Sequence, residues 1–203
     1  MAEMRCPFCS LPIRLPPVVK ATDKRSPEIR QALESPLQVA GLTMRVFAAP
    51  FKGPAPNASV LLGVEVSGRD LNLASNGVVE LQYMAVDVRG KIRGGDTNRL
   101  TLNLRPDTRA RVEEAGLRFL NRLELPPGRY QVRVAGHDTV GGAAGSVVYD
   151  LEVPDFYKTP LGISGVVLTS LGGPAGATAK ADEALKDVLP APPSGLRTFV
   201  SSD

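Results

Sequence analysis

Between Leu42 and Val153 apolar and polar residues alternate with a period of two, in short runs broken by glycine, proline and asparagine. Leu42, Met44, Val46 and Ala48 alternate with Thr43, Arg45 and Phe47 until Pro50 and Gly53-Pro54 intervene, the spacing of a half-buried strand. Val60, Leu62, Val64 and Val66 then alternate with Ser59, Leu61, Gly63 and Glu65, which predicts one buried face and one mostly wet face. After the Asn76-Gly77 turn signal, Val78 to Val88 is apolar on both faces, as in a central strand. Arg89-Gly90 and Gly94-Gly95 read as loops, and Leu100, Leu102 and Leu104 supply the next strand.

Pro106 to Gly116 breaks the alternation with a charged segment that has proline in front and glycine behind, the punctuation of a helix. Leu117, Phe119, Leu123 and Leu125 resume the two-residue period. A hairpin over Leu125 to Val153 follows, with Tyr130, Val132 and Val134 facing Val147, Tyr149, Leu151 and Val153 across a glycine-rich loop. Its entry, Pro126-Pro127-Gly128-Arg129-Tyr130, resembles the tyrosine corner of immunoglobulin-type sandwiches, in which the tyrosine hydroxyl bonds back to nearby backbone. Seven or so short strands in about 115 residues predict an all-β chain, an immunoglobulin- or fibronectin-III-like antiparallel β-sandwich with one short helix and extended tails.

The expected organisation is an extended Pro-rich lead-in over 1–41, the sandwich over 42–157, and an extra strand and linker over 158–203. Within the lead-in Ser26 can cap a short helix running to Glu34, with Pro27 as its first residue. In the tail 162–170 can form a strand and 180–189 a short helix.

Composition narrows the function classes. Twenty-four basic against 21 acidic residues, without a block of like charge, supply no long-range field for nucleic acid. The absence of tryptophan leaves little for stacking bases. No run approaches the roughly 18 apolar residues of a membrane span, so no membrane insertion is expected. The first residues, interrupted by Arg5, Pro7, Pro12 and Arg14, lack the apolar core of a secretory signal.

Candidate chemistry is sparse. His137 is the one histidine and no Gly-x-Ser-x-Gly elbow accompanies it, so a serine triad is not expected; its sequence context reads as a loop. Asp70-x-Asn72 and Asp96-x-Asn98 open like calcium loops, but the later oxygen ligands and the glycine are missing. Cys6 and Cys9 lack the strand-helix setting of a redox motif and the four ligands of a zinc site. Neither a catalytic set, a cofactor nor a metal is expected. Tyr130, Gly128 and Pro127 are expected to shape the fold, while Asp70, Asp96, His137 and Asp138 are candidate ligand-loop residues that could cluster at one end. Arg89, Lys91 and Arg93 make a small basic tip.

The segments RQALESPL, GLTMRVFAAPFKG, TLNLRPDTRARVEEAGLRFLNRLELPPGRYQVRVAGHD, GSVVYDLEVPDF and DEALKDVLPAPP resemble the region that follows the von Willebrand factor A domain in bacterial VWFA-related proteins, common in Acidobacteria. The resemblance spans roughly residues 17–203 and leaves the first 14 or so, with CPFC, outside it. It implies an extracellular or cell-surface accessory sandwich whose partner is a protein, or the neighbouring A domain, and whose adhesion-type metal site belongs to that A domain. Residues 198–203 resemble the start of a further β domain. The expected function is therefore a non-catalytic structural or protein-interaction module. The alternative is an extracellular glycan- or polymer-binding sandwich that uses its end loops.

Overall fold

The computed structural model describes residues 25–73, 76–158, 161–168 and 177–180. Strands β1 (Met44–Lys52), β2 (Ala58–Val66), β3 (Gly77–Asp87), β4 (Ile92–Leu102), β5 (Leu117–Leu125), β6 (Gly128–Asp138), β7 (Ala144–Val153) and β8 (Ala177–Lys180) form two four-stranded sheets, in the orders β1-β2-β5-β8 and β4-β3-β6-β7. Neighbours pair antiparallel except β8, which adds to β5 in parallel. The chain is a two-sheet β-sandwich.

Period-two alternation builds the core directly. Val60, Leu62, Val64 and Val66 of β2 and Phe119, Leu123 and Leu125 of β5 meet Val79 and Leu81 of β3 and Val132 and Val134 of β6, all in one buried cluster. Each fully buried aliphatic side chain of this kind contributes about 1.5–3 kcal/mol before ordering entropy is subtracted. Helix α2 (Pro106–Ala115) adds Val112 to the cluster and stops at Gly116, whose φ of 76° suits a residue without a Cβ.

The doubly apolar β3 is an interior strand, as its pattern requires, and its second face is covered. Helix α1 (Pro27–Glu34) lays Ile29, Ala32 and Leu33 on Met84 of β3 and Ala135 of β6, with Val39 and Val86 alongside. Ser26 Oγ accepts the Ile29 amide at 3.4 Å and caps it. The chain then runs to the β7 edge, where the Val39 amide donates to Ser146 Oγ at 3.0 Å and the Ser146 amide donates to the Val39 carbonyl at 2.9 Å. Residues 27–40 thus hold the expected Ser26-capped helix, and what changes is that helix and strap are bound to the sandwich and not an extended lead-in apart from it. The physical reason is the apolar outer face of β3, which needs a cover.

Three other expectations change. Gly94 and Gly95 lie inside β4, not in a loop. A Cβ on Gly95 would sit 2.4 Å from the Tyr83 carbonyl, so glycine serves close strand approach there. The outer face of β2 is not wet: Leu61, Gly63 and Glu65 are all buried, with the Phe47 ring lying over Gly63. Residues 161–168 form no strand and are tied to β1 through the Gly165 amide, which donates to the Pro50 carbonyl at 2.7 Å. The expected helix over 180–189 lies outside the described residues apart from Lys180, which belongs to β8, and Cys6 and Cys9 lie outside them entirely.

Candidate functional site

The turns at the two ends of the sandwich carry the candidate side chains. At one end β6 stops at Asp138, which is fully buried. Its Oδ1 accepts the amides of Val140 and Gly141, each at 3.0 Å, and its Oδ2 accepts the Asn72 amide at 2.6 Å. Three backbone donors saturate a carboxylate that burial would otherwise penalise. Gly141 has no room for a side chain, since a Cβ there would lie 2.6 Å from Asp138 Oδ2. The same carboxylate therefore folds the β6–β7 turn and fastens it to the β2–β3 connection.

Asp70 works nearby in the same way. Its Oδ2 accepts the Thr43 amide at 2.9 Å, joining the entry of β1 to the short 3-10 turn at Gly68–Asp70. Hydrogen bonds from the Thr43 side chain and from its backbone amide hold the Asp70 carboxyl below its ordinary value. Both carboxylates stand on one side of the molecule, but each is turned onto main chain and not toward a shared point.

Asp96 and His137 do not join them, which corrects the expected loop cluster. Asp96 is a β4 strand residue opposite Tyr83, whereas Asp138 is opposite Val79, four residues further along β3 and so roughly 13 Å away along the strand. Its Oδ1 accepts the amide of Thr97. Burial, and secondarily the Asp96 charge, push the Tyr83 hydroxyl up to about 12. His137 is not a loop residue either. It lies in β6 opposite Glu80, 7% exposed, on the face that α1 covers. Its Nδ1 has no hydrogen-bond partner and stands 3.9 Å from Glu28 Oε2.

At the opposite end the tyrosine corner forms: Tyr130 is buried and its hydroxyl donates to the Pro126 carbonyl at 2.7 Å. Pro127 sits in the connection and Gly128 opens β6 at a φ of 155°. Beside it is the β3–β4 turn, where Asp87 Oδ1 accepts the Arg89 and Lys91 amides at 2.9 Å each and Oδ2 accepts Arg93 Nε at 2.7 Å. The Lys91 amide first, then Arg93 and Arg89, hold the Asp87 carboxyl below its ordinary value. Gly90, at a φ of 79°, closes the turn.

Sequence reasoning missed two polar pairs. Glu65 and Arg118 face each other across β2 and β5 and pair at 2.9 Å with side chains 3% and 6% exposed. Asn98 of β4 donates through Nδ2 to Asn121 Oδ1 of β5 at 3.1 Å, linking the sheets through the interior. The signal for the first is the β2–β5 pairing and for the second the packing of one sheet on the other, neither of which single-strand periodicity contains. Among the described residues no group of three or more His, Cys, Asp or Glu could hold a metal ion, and no helix is long and apolar enough to cross a membrane.

No family model and no curated protein matches the chain. Among solved structures it is similar to a protein described as a β-galactosidase from Bacteroides fragilis, with a TM-score of 0.38 and 16% identity over 53% of this chain and 16% of that one. A β-glucuronidase from Bacteroides uniformis gives 0.36 and 14% over 53% and 13%. A structural-genomics target, SoR45, gives 0.32 and 10% over 62% and 95%. The chain thus spans about a sixth or less of the two glycosidases, and the sandwich assignment rests on its own strand ladders.

Proposed function

We propose that this chain is a non-catalytic structural or protein-interaction module of immunoglobulin or fibronectin-III type, accessory to a VWFA-type adhesion domain at the cell surface. One observation carries the reading: the buried Asp138 carboxylate, the best candidate for a ligand or catalytic group, is consumed by three backbone amides of two loops. Asp70 is engaged in the same manner, and His137, next to Asp138 in β6, faces the other side of the sheet, toward Glu28 of α1. With these two carboxylates turned onto main chain, the end loops are built to hold the sandwich together, as a spacer or docking body requires. Binding of a glycan at the end loops would need those carboxylates to turn outward.

The test has two arms. The purified chain is assayed against ester, peptide and glycoside substrates, and titrated with a polysaccharide panel with and without calcium; neither turnover nor binding is expected. Turnover that disappears in His137→Ala, or saturable glycan binding lost in Asp70→Ala, overturns the reading. The coding sequence flanking the chain supplies the second arm: an A domain upstream supports the accessory role, and a fused catalytic domain removes it.

A further inference from the structure

Among the described residues, helix α1 covers only part of the outer face of the β4-β3-β6-β7 sheet. The apolar row on β3 begins under the helix at Met84, continues through half-buried Val86, and reaches Ile92 of β4, the ladder partner of Val86, which is 50% exposed. Val88 follows at the start of the turn, 67% exposed. Three β-branched residues thus form an apolar strip in line with the one that α1 occupies.

The strip is edged by charge of one sign on the turn side. Arg89 and Lys91 are exposed, while the turn's own carboxylate, Asp87, is already satisfied by two amides and Arg93. Arg129 of β6 extends the cationic edge; its partner Glu152 is 3.9 Å away, and both side chains are about three-quarters exposed. On the far side, β7 presents Asp150 and Glu152 to solvent. The hydrogen bonds around Asp87 hold the turn in one shape, so its cations are displayed without further ordering.

We infer that this half-face docks an amphipathic helix of a partner protein whose apolar stripe lies on Val86, Val88 and Ile92 and whose acidic flank meets Arg89, Lys91 and Arg129. The inference rests on the interaction-module reading and deepens it by naming the surface and the partner's chemistry. Two observations favour a helix. The chain itself solves the same problem on the same sheet with α1, whose last turn presents the Leu33 carbonyl to Arg133 Nη1 at 3.3 Å. The strip also lies on the face of the sheet that α1 packs on, although Ile92 belongs to the edge strand β4. A membrane is disfavoured because the apex of the turn is Arg89-Gly90-Lys91, and the apolar residues flank it instead of leading. The acidic β7 side fixes orientation, since an acidic flank placed there would be repelled.

The experiment titrates the full chain, labelled with 15N, with a synthetic helical peptide carrying leucine on one face and glutamate on the other. The expected result is saturable binding, with amide shifts confined to residues 84–93 and 129–133, and at least tenfold weakening in Lys91→Glu/Arg89→Glu. The Val88→Ser/Ile92→Ser variant, which changes exposed side chains only, should weaken binding as strongly, while Glu152→Lys should strengthen it. Equal binding of a lysine-for-glutamate peptide, no saturable binding, or binding to phosphatidylglycerol vesicles in place of the peptide overturns the inference. Peptide shifts on another face overturn this surface and leave the interaction-module reading standing. Substrate turnover by the chain removes that reading whatever the peptide does.

Discussion

Asp87 and Asp138 end neighbouring strands at opposite ends of the sandwich and use the same device, a carboxylate whose Oδ1 accepts the amide two residues on and so folds the turn. They differ in what the other oxygen reaches. Asp138 Oδ2 crosses to Asn72, 66 residues away in sequence, whereas Asp87 Oδ2 reaches only Arg93 at the start of β4, 6 residues on. One is buried and joins two loops; the other is near solvent and leaves its basic neighbours facing out. Identical local chemistry thus makes a closed end and an open end, and the difference lies in tertiary reach.

The largest expected effect tests the closed end. Asp138→Ala leaves three amides without their acceptor in a buried site and should cost about 3 kcal/mol in urea unfolding. A loss under about 1 kcal/mol would break the contrast with Asp87. Next comes Tyr130→Phe, which removes the 2.7 Å bond to Pro126 at the open end and should cost about 1 kcal/mol. No measurable loss means the corner contributes geometry without energy.

Acid should act on both ends through Asp70 and Asp87. Each has a folded-state pKa depressed below its ordinary value, so its contribution is fully present above about pH 4 and is lost as pH falls through the folded pKa. Carboxyl-detected NMR titration should find both midpoints below those of exposed aspartates, and the shift at Asp87 should shrink in Arg93→Ala. The smallest effect is expected at the tip itself, where Arg89→Ala and Lys91→Ala should each change stability by no more than about 0.5 kcal/mol. A larger loss would mean that these cations serve the fold and not a partner.

The strands of the core were legible because alternation is a local property: β2, β3, β5, β6 and β7 follow from runs such as Val60 to Val66 and Tyr130 to Val134. So was α1, from Ser26 and Pro27, although not its role as a cover. What stayed hidden depends on partners far away in sequence. Asp96 reads as a loop residue beside two glycines, yet pairing with Tyr83 draws it into an edge strand. Glu65 reads as wet until Arg118 is set opposite, and His137 reads as a loop residue until β6 is paired with β3 and β7. The candidate site was legible in residue type at Asp70 and Asp138, and illegible in direction, because nothing local says whether a carboxylate faces solvent or main chain.

The α1 strap has a mechanical consequence. Residues 27–43 leave the outer face of one sheet and enter β1 of the other, so tension applied from the N-terminal side meets the helix and the Val39–Ser146 pair before it meets the β1–β2 ladder. The segment is also held by the Ala40–Gly145 bridge and by the Thr43 amide on Asp70, whereas β1 beyond it lies in a nine-pair ladder with β2. A pulled molecule should therefore pay out at most roughly 60 Å of slack before its core is stressed, which makes the strap a shock absorber in series with the sandwich.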